Sequence, residues 1–308
     1  MSDEMDKNWK ISQLELLKKG ESIFRSIPDG IGEILYCDST EERAEPYTPK
    51  EKMTKRIYGI LISVGGLSVV WTLLYSHYIW AAVLSIIILI IAWAVGNCIF
   101  SGQDYYVGTK GFAINTFSDT RENVYQSEQY LFKDMCGLFT GETIHMKNFS
   151  YEKTSYSFMV YMLTTDEKLN ITPKMSLKVE DDYYDETPKD PMNPDGAPAT
   201  YGFMKTVEKY WTILFVQNHK DDDTITFPCH PTSLILTHNS LIIGNVEYTK
   251  ENTKNMYFSN GELIVEHINH SKKLLGLIEE GNISKIPLGG LANRNAFLTL
   301  LHMRGLIG

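Results

Sequence analysis

The stretch HKDDDTITFPCHP sets His219, Asp221, Asp223, Cys229 and His230 close together, with His238 a little further on. Imidazole, thiolate and carboxylate groups are zinc ligands, but zinc takes three or four such donors at regular spacing. Here the single cysteine has no matched partner, and Pro228 and Pro231 mark a turn. The stretch reads better as a solvated acidic linker than as a metal site. EHINH offers Glu266, His267 and His270. Metalloprotease chemistry needs two histidines one helical turn apart with a glutamate between them. This run is strand-like, which would turn His267 and His270 to opposite sides. DPMNPDG, Asp190 to Gly196, hints at a calcium loop. Its oxygen ligands are out of register, no closing glutamate follows at the right distance, and its prolines favour a turn. Gly289 and Gly290 precede a helical pattern, where an anion can sit. The phosphate-cradling patterns GxxxxGK[ST] and GxGxxG are absent. Arg294 then reads as a solvent or interface contact. No GxSxG elbow or Cys–His nucleophile context occurs. No residue is assigned a catalytic, cofactor-binding or metal-binding role, and no cofactor is expected.

The elements around these residues say more. Ile57–Tyr75 and Tyr78–Phe100 carry no charged residue, and roughly 20 apolar residues cross a bilayer core. Trp71, Tyr75, Tyr78 and Trp80 gather at the short turn LLYSHYIW, as interfacial aromatics do. Lys50, Lys52, Lys55 and Arg56 precede the first run, Lys110 and Arg121 follow the second, and the turn has no Lys or Arg. The positive-inside bias therefore puts the turn outside and both flanks in the cytoplasm. Gly59, Ser63 and Gly66 on one helix, and Ala81, Ser85, Ala92 and Gly96 on the other, allow close antiparallel packing. With no ionisable group deep in either run, nothing marks an ion path, and two helices alone make a poor pore.

The 308 residues carry a net charge of −9. An acidic chain without a basic, aromatic-laced patch is a poor partner for nucleic acid. It is also a poor diffuse binder of anionic lipid, so the spans must do the anchoring. Cys37, Cys98, Cys136 and Cys229 are scattered, which fits free thiols in a reducing cytoplasm. The N-terminus lacks the basic and apolar parts of a signal peptide.

Residues 1–56 read as a cytoplasmic segment: a short amphipathic helix with Trp9, Leu14 and Leu17, a turn with a short extended or helical piece, and a polar linker. The hairpin covers 57–100, with spans 57–75 and 78–100. A β-rich module follows at 101–219. It opens on DYYVGTKGFAINTF, a strand, a turn and a strand. It passes an exposed acidic loop at 180–199 and closes on an amphipathic helix at Gly202–Gln217. A second β-rich module at 220–308 has hairpins in SLILTHNSLIIGNV and NMYFSNGELIVEHIN, and another in KKLLGLIEEGN. It ends on a helix at Leu291–Met303 before Gly305. The 208 residues after the hairpin suffice for one large domain or two small ones.

Two spans, then strand–turn–strand openings, further strands and a closing helix resemble the bacterial membrane-anchored PH-like proteins over residues 101–308. The likeness is carried by Tyr106–Asn115 and Ile286–Leu301. It implies a bent sheet or small barrel capped by a helix, in one or two tandem modules, serving as a binding or assembly platform. Lipid recognition does not carry over, because the basic pocket it would need is missing here. The expected fold class is a membrane protein: a two-helix transmembrane hairpin followed by a mainly β (α+β) PH-like cytoplasmic region. The expected place is a bacterial cytoplasmic (inner) membrane, multi-pass, with both termini cytoplasmic. The expected role is a non-enzymatic interaction or scaffold protein that meets the lipid bilayer through two spans and a protein partner or its own copies. The alternatives are a subunit of a larger secretion or transport complex, and a membrane-bound metal-dependent enzyme or sensor using the His219–His238 region.

Overall fold

The computed structural model describes residues 17, 22–41, 43–74, 77–97, 99–148, 150–165, 170–183, 199–230, 232–273 and 278–307. The helix expected around Trp9–Gly20 (Leu17 apart), the turn residues Tyr75 and Ser76, Cys98 and the calcium-loop candidate Asp190–Gly196 lie outside the described residues.

Helix α1 spans Pro49–Leu73, so it begins eight residues before the apolar run at Ile57. Local chemistry sets that start. The Thr48 hydroxyl accepts the Glu51 N–H at 3.3 Å, and the Glu51 carboxylate accepts the Thr48 N–H at 2.8 Å. This reciprocal capping satisfies two otherwise orphaned donors, and Pro49 stands where its missing N–H costs nothing. Helix α2 spans Tyr78–Gly96 and stops four residues short of the expected Phe100. Asn97 ends it by donating from its side chain to the Trp93 carbonyl at 2.9 Å.

Both helices are long and apolar enough to cross a membrane. Within them only Gly59, Val70, Ala81 and Ala92 are buried. Most of their remaining apolar surface faces outward, up to 73% exposure at Leu73. The helices touch where side chains are smallest. A Cβ on Gly59 would lie 2.6 Å from the Ala92 carbonyl oxygen, and one on Gly66 would lie 2.9 Å from Ile88. Gly59→Leu should therefore force the helices apart. We expect it to lower the midpoint of thermal unfolding in mild detergent, while Gly65→Leu, where a Cβ meets nothing within 4 Å, leaves it unchanged.

Strand β1 (Ile34–Ser39) lies before the hairpin, and β2 (Ser101–Gly108) follows it. The two pair antiparallel, Ile34 with Gly108 and Ser39 with Asp104. Strands β3 (Gly111–Ser118) and β4 (Thr120–Leu131) complete a four-stranded meander, β1-β2-β3-β4. The helical hairpin is thus an insertion between two neighbouring strands, and the segment before it supplies a strand to the sheet. A three-stranded meander follows, β5 (Met135–Lys147), β6 (Ser150–Thr165) and β7 (Ile171–Tyr183), and then helix α3 (Ala199–His219).

The order then repeats. Strands β8 (Thr224–Phe227), β9 (Leu234–Thr237), β10 (Ser240–Ile243) and β11 (Val246–Thr249) form a four-stranded meander. Strands β12 (Thr253–Ser259), β13 (Glu262–His267) and β16 (Ile283–Pro287) form a three-stranded sheet, interrupted by the small hairpin β14 (Ser271–Lys273) and β15 (Ile278–Glu280). Helix α4 (Arg294–Met303) closes the chain. The β12–β13 turn has Asn260 at φ 51° and Gly261 at φ 76°, the left-handed pair that an Asn-Gly hairpin turn uses.

One hydrophobic cluster runs through both sets of strands and both helices, from Tyr36 and Phe112 through Phe158, Phe203 and Trp211 to Phe227, Phe297 and Leu301. A smaller cluster lies around Phe24, Ile31, Cys37, Tyr106 and Ala113, with Leu17 packed against it.

Candidate functional site at the junctions of the fold

Buried charge concentrates where the hairpin enters and leaves the first sheet. Arg121, at the start of β4, reaches Asp104 with one guanidinium nitrogen, and the side chains are only 1% and 4% exposed. The same nitrogen donates to the Ser39 hydroxyl at 3.2 Å. Its neighbour donates to the carbonyls of Glu41 and, at 2.9 Å, of Arg43. The Ser39 hydroxyl also donates to Asp104 at 2.7 Å. The ring of Phe117 lies 4.9 Å from the guanidinium carbon, with Phe24 and Phe100 a little further off. One planar fork therefore holds the segment that leads into α1 and the strand that leads out of α2, a geometry only arginine supplies. Burial pushes the Asp104 carboxyl above its ordinary value, against the pull of Arg121 and Ser39. Arg121, one of the basic residues that follow the second apolar run, is thus buried inside the fold and paired with Asp104.

Outside this buried centre, Arg43 pairs with Glu51 at 2.8 Å. The Lys55 ammonium stands 3.3 Å over the Tyr47 ring, and Arg43 approaches the same ring at 4.6 Å. The hydrogen bond from Arg43 is the main reason the Glu51 carboxyl falls from 4.5 to about 2, with the Thr48 bonds adding to it. A carboxylate held below its unfolded value stabilises fully above about 4.5, and the contribution fades as pH falls toward 2. The first turn of α1 should therefore loosen over that acidic window. Backbone amide signals of Glu51 and Lys52 followed by NMR check this, and Glu51→Gln should flatten the dependence.

A second junction ties the two repeated units. Asn293 sits in the left-handed region at φ 55°. Its side-chain oxygen accepts the Leu138 N–H and the Trp211 indole N–H, each at 2.9 Å. Its side-chain nitrogen donates to the Cys136 carbonyl at 3.4 Å, and its backbone N–H donates to the Leu138 carbonyl at 2.8 Å. One residue from the second unit thus satisfies the edge of β5 and the tryptophan of α3. Beside it, Arg294 donates to the Thr140 carbonyl at 3.5 Å and lies 3.8 Å from Glu208. Glu208 accepts from Thr140 at 3.0 Å and from Lys205 at 3.3 Å, and Lys205 also pairs with Glu142. Arg294 is an interface contact between units. Helix α4 starts at Arg294 rather than Leu291, because Leu291 is extended in a bridge with Cys229 and Asn293 is left-handed.

The remaining candidates from the sequence are scattered. His219 pairs with Asp222 at 2.6 Å and His238 with Asp223 at 3.3 Å, which brings both imidazoles to the turn after α3. Cys229 and His230 go elsewhere, against Leu291 and Gly290. Burial raises the thiols of Cys136 and Cys229, and that of Cys37 to about 12, so none of the three is tuned as a nucleophile. Glu266 accepts from Asn255 at 2.8 Å and Tyr257 at 3.2 Å. His267 ends β13, and His270 follows it through a turn closed by a 2.8 Å backbone bond. Among the described residues no group of three or more His, Cys, Asp or Glu side chains converges to hold a metal. Gly289 and Gly290 form a short 3₁₀ turn, and a Cβ on Gly290 would meet the His230 backbone rather than an open cleft.

No protein-family model matches this chain, and no curated protein and no solved structure is significantly similar to it. The junctions join two repeated units into one β-rich body and fix the pair of apolar helices between two paired strands of its first sheet.

Proposed function

We propose that this chain is a non-enzymatic interaction protein of a bacterial cytoplasmic membrane, anchored by α1 and α2, with two PH-like modules in the cytoplasm. The observation that carries the proposal is the position of the hairpin. It leaves one sheet between β1 and β2 and turns nearly all its apolar side chains away from the protein core. In water that surface would be a large uncovered patch; in lipid it is in its own solvent. Support for the PH-like part comes from the repeated order of four strands, three strands and a helix. The first module then runs from β1 through α3 with the anchor inserted in it, and the second from β8 through α4. Both junctions use their buried polar groups to fix elements in place, and strand edges such as β7 remain the natural surfaces for adding a partner's backbone.

Orientation and place are tested together with single cysteines at His77, in the turn between the helices, and at Asn239, in the second module, on a chain freed of its own cysteines. An impermeant maleimide on intact spheroplasts should label His77→Cys and spare Asn239→Cys. The reverse pattern would overturn the orientation, and recovery of the chain in the soluble fraction would overturn the anchor. A mild-detergent pull-down of the tagged full chain then reads the role: a stoichiometric soluble partner or defined homo-oligomer fits the platform, whereas a stoichiometric membrane assembly makes it a subunit.

A further inference from the structure

A cavity of about 470 Å³ lies at the end of β2 remote from the helical hairpin. It opens between the β2–β3 turn, the 3₁₀ turn Phe132–Asp134 that joins β4 to β5, and one face of α3. We propose that this cavity binds a small aromatic carboxylate taken from water. The inference concerns the β-rich body alone and goes beyond the platform role proposed above.

Backbone bonds fix the walls before any ligand arrives. The Lys110 N–H donates to the Ile31 carbonyl at 2.8 Å, and the Phe132 N–H donates to the Lys110 carbonyl at 2.9 Å. Thr109 donates its N–H to the Glu33 carbonyl at 2.9 Å, and its hydroxyl accepts the Glu33 N–H at 3.2 Å. On α3, Trp211, Leu214 and Asn218 follow the i, i+3, i+7 spacing of a single helix face. Ser101, where the chain returns from the hairpin, begins β2, and Gly108 ends it. That separation is about 23 Å at 3.3 Å per residue, so the cavity is supplied from the aqueous side.

The lining is apolar at its base and positive at its rim. Phe132 and Trp211 are buried, with ring centroids 6.5 Å apart and planes 24° from parallel. The Trp211 indole N–H is taken by Asn293, so the ring offers carbon to the cavity. Leu131 and Leu214 add aliphatic surface. Lys110 and Lys133 are exposed at the rim. Among the described residues no carboxylate lines the cavity, and neither lysine is ion-paired. On a chain of net charge −9 this is a local excess of positive charge. A mainly apolar concavity of this size with a few convergent polar groups is the usual form of a small-ligand site. The C-terminal end of α3 at Asn218 carries partial negative charge, which favours a singly charged carboxylate over a doubly charged phosphate. Lys110 and Lys133 are 23 residues apart in the chain. The bond between Phe132 and Lys110 brings them together, so no motif announces the site.

The test uses the full chain labelled with 5-fluorotryptophan, in phosphatidylcholine nanodiscs or, should it prove soluble, in buffer. Fluorine NMR reads the five tryptophans separately, and Trp211→Phe assigns the one at the cavity. 2-Naphthoate should shift the Trp211 resonance saturably and leave Trp71, Trp80 and Trp93 of the hairpin unmoved. Naphthalene-2-carboxamide, its neutral counterpart, should bind roughly tenfold more weakly, because it brings no charge to the two ammonium groups. Lys110→Gln with Lys133→Gln should weaken naphthoate by the same factor and leave the carboxamide unchanged. Lys147→Gln with Lys285→Gln removes the same charge from exposed positions at the far end of β5 and on β16, and should change nothing. Equal binding of naphthoate and carboxamide would overturn the proposal, as would an equal loss in the two lysine pairs. Shifts confined to the hairpin tryptophans would overturn it too, since they report partition into lipid. Inorganic phosphate acting on Trp211 as tightly as naphthoate would overturn the aromatic assignment. A soluble chain that binds naphthoate would bring down the membrane reading and leave this proposal standing.

Discussion

Arg121→Ala is expected to cost about 3–5 kcal/mol of stability, the usual result of removing one partner from a buried ion pair. The Asp104 carboxyl, at 4% exposure, would lose its guanidinium partner and have to take up a proton or stay buried uncompensated, and the carbonyls of Glu41 and Arg43 would lose their donor. Arg121→Lys should recover little, because an ammonium cannot span a carboxylate and two carbonyls in one plane. The double variant Arg121→Met with Asp104→Leu should recover most of the loss, since a buried pair replaced by apolar groups of similar volume is often nearly neutral. Denaturation of the full chain in mild detergent, followed by tryptophan fluorescence, gives the comparison. A cost for Arg121→Ala below about 1 kcal/mol, the range of exposed pairs, would mean that water reaches the site.

The second large effect is expected at the contact between units. Asn293→Leu would leave the Leu138 N–H and the Trp211 indole N–H without their acceptor. Each buried donor so stranded costs about 1–3 kcal/mol. The left-handed backbone at φ 55° adds about 1 kcal/mol for a side chain that cannot hydrogen-bond locally. The sum is a loss of about 3–7 kcal/mol. Asn293→Gly separates the parts: it relieves the backbone but not the donors, so it should lie between wild type and leucine. Near-ultraviolet circular dichroism of Trp211 should change in both variants. If leucine unfolds at the same denaturant concentration as wild type, Asn293 does not hold the units together.

Much of the fold is legible in local patterns. The turn in TKG between β2 and β3, the Asn260–Gly261 turn and the apolar face of α3 are written within a few neighbouring residues, where turn chemistry and periodicity act. Strand β1 is not. Ile34–Ser39 looks like an isolated extended piece until its partner arrives on the far side of the hairpin. The start of α4 is missed for a similar reason: Leu291 is taken up by Cys229, 62 residues away in sequence, and no local signal announces it. Arg121 in TRENVY looks like any surface arginine, because the carboxylate that buries it comes from β2. The clusters that looked chemical, around His219 and around Glu266, dissolve into separate local pairs. The residues that do concentrate buried polarity, Arg121 and Asn293, are single and belong to no motif.

The insertion of the hairpin between β1 and β2 also sets an order for biosynthesis. Strand β1 leaves the ribosome without a partner, and β2 emerges only after both apolar helices have been made. Joining Ser39 to Asp104 through a fully flexible connection would carry the closure entropy of the whole intervening loop. Once α1 and α2 have paired as an antiparallel hairpin, only the short segments on either side remain loose. A roughly fourfold shorter flexible loop lowers that entropy by about 1 kcal/mol. Pairing of the two helices thus precedes and speeds the zipping of the first sheet, and a chain stalled before its helices pair would present β1 as an open edge to the cell's chaperones and proteases.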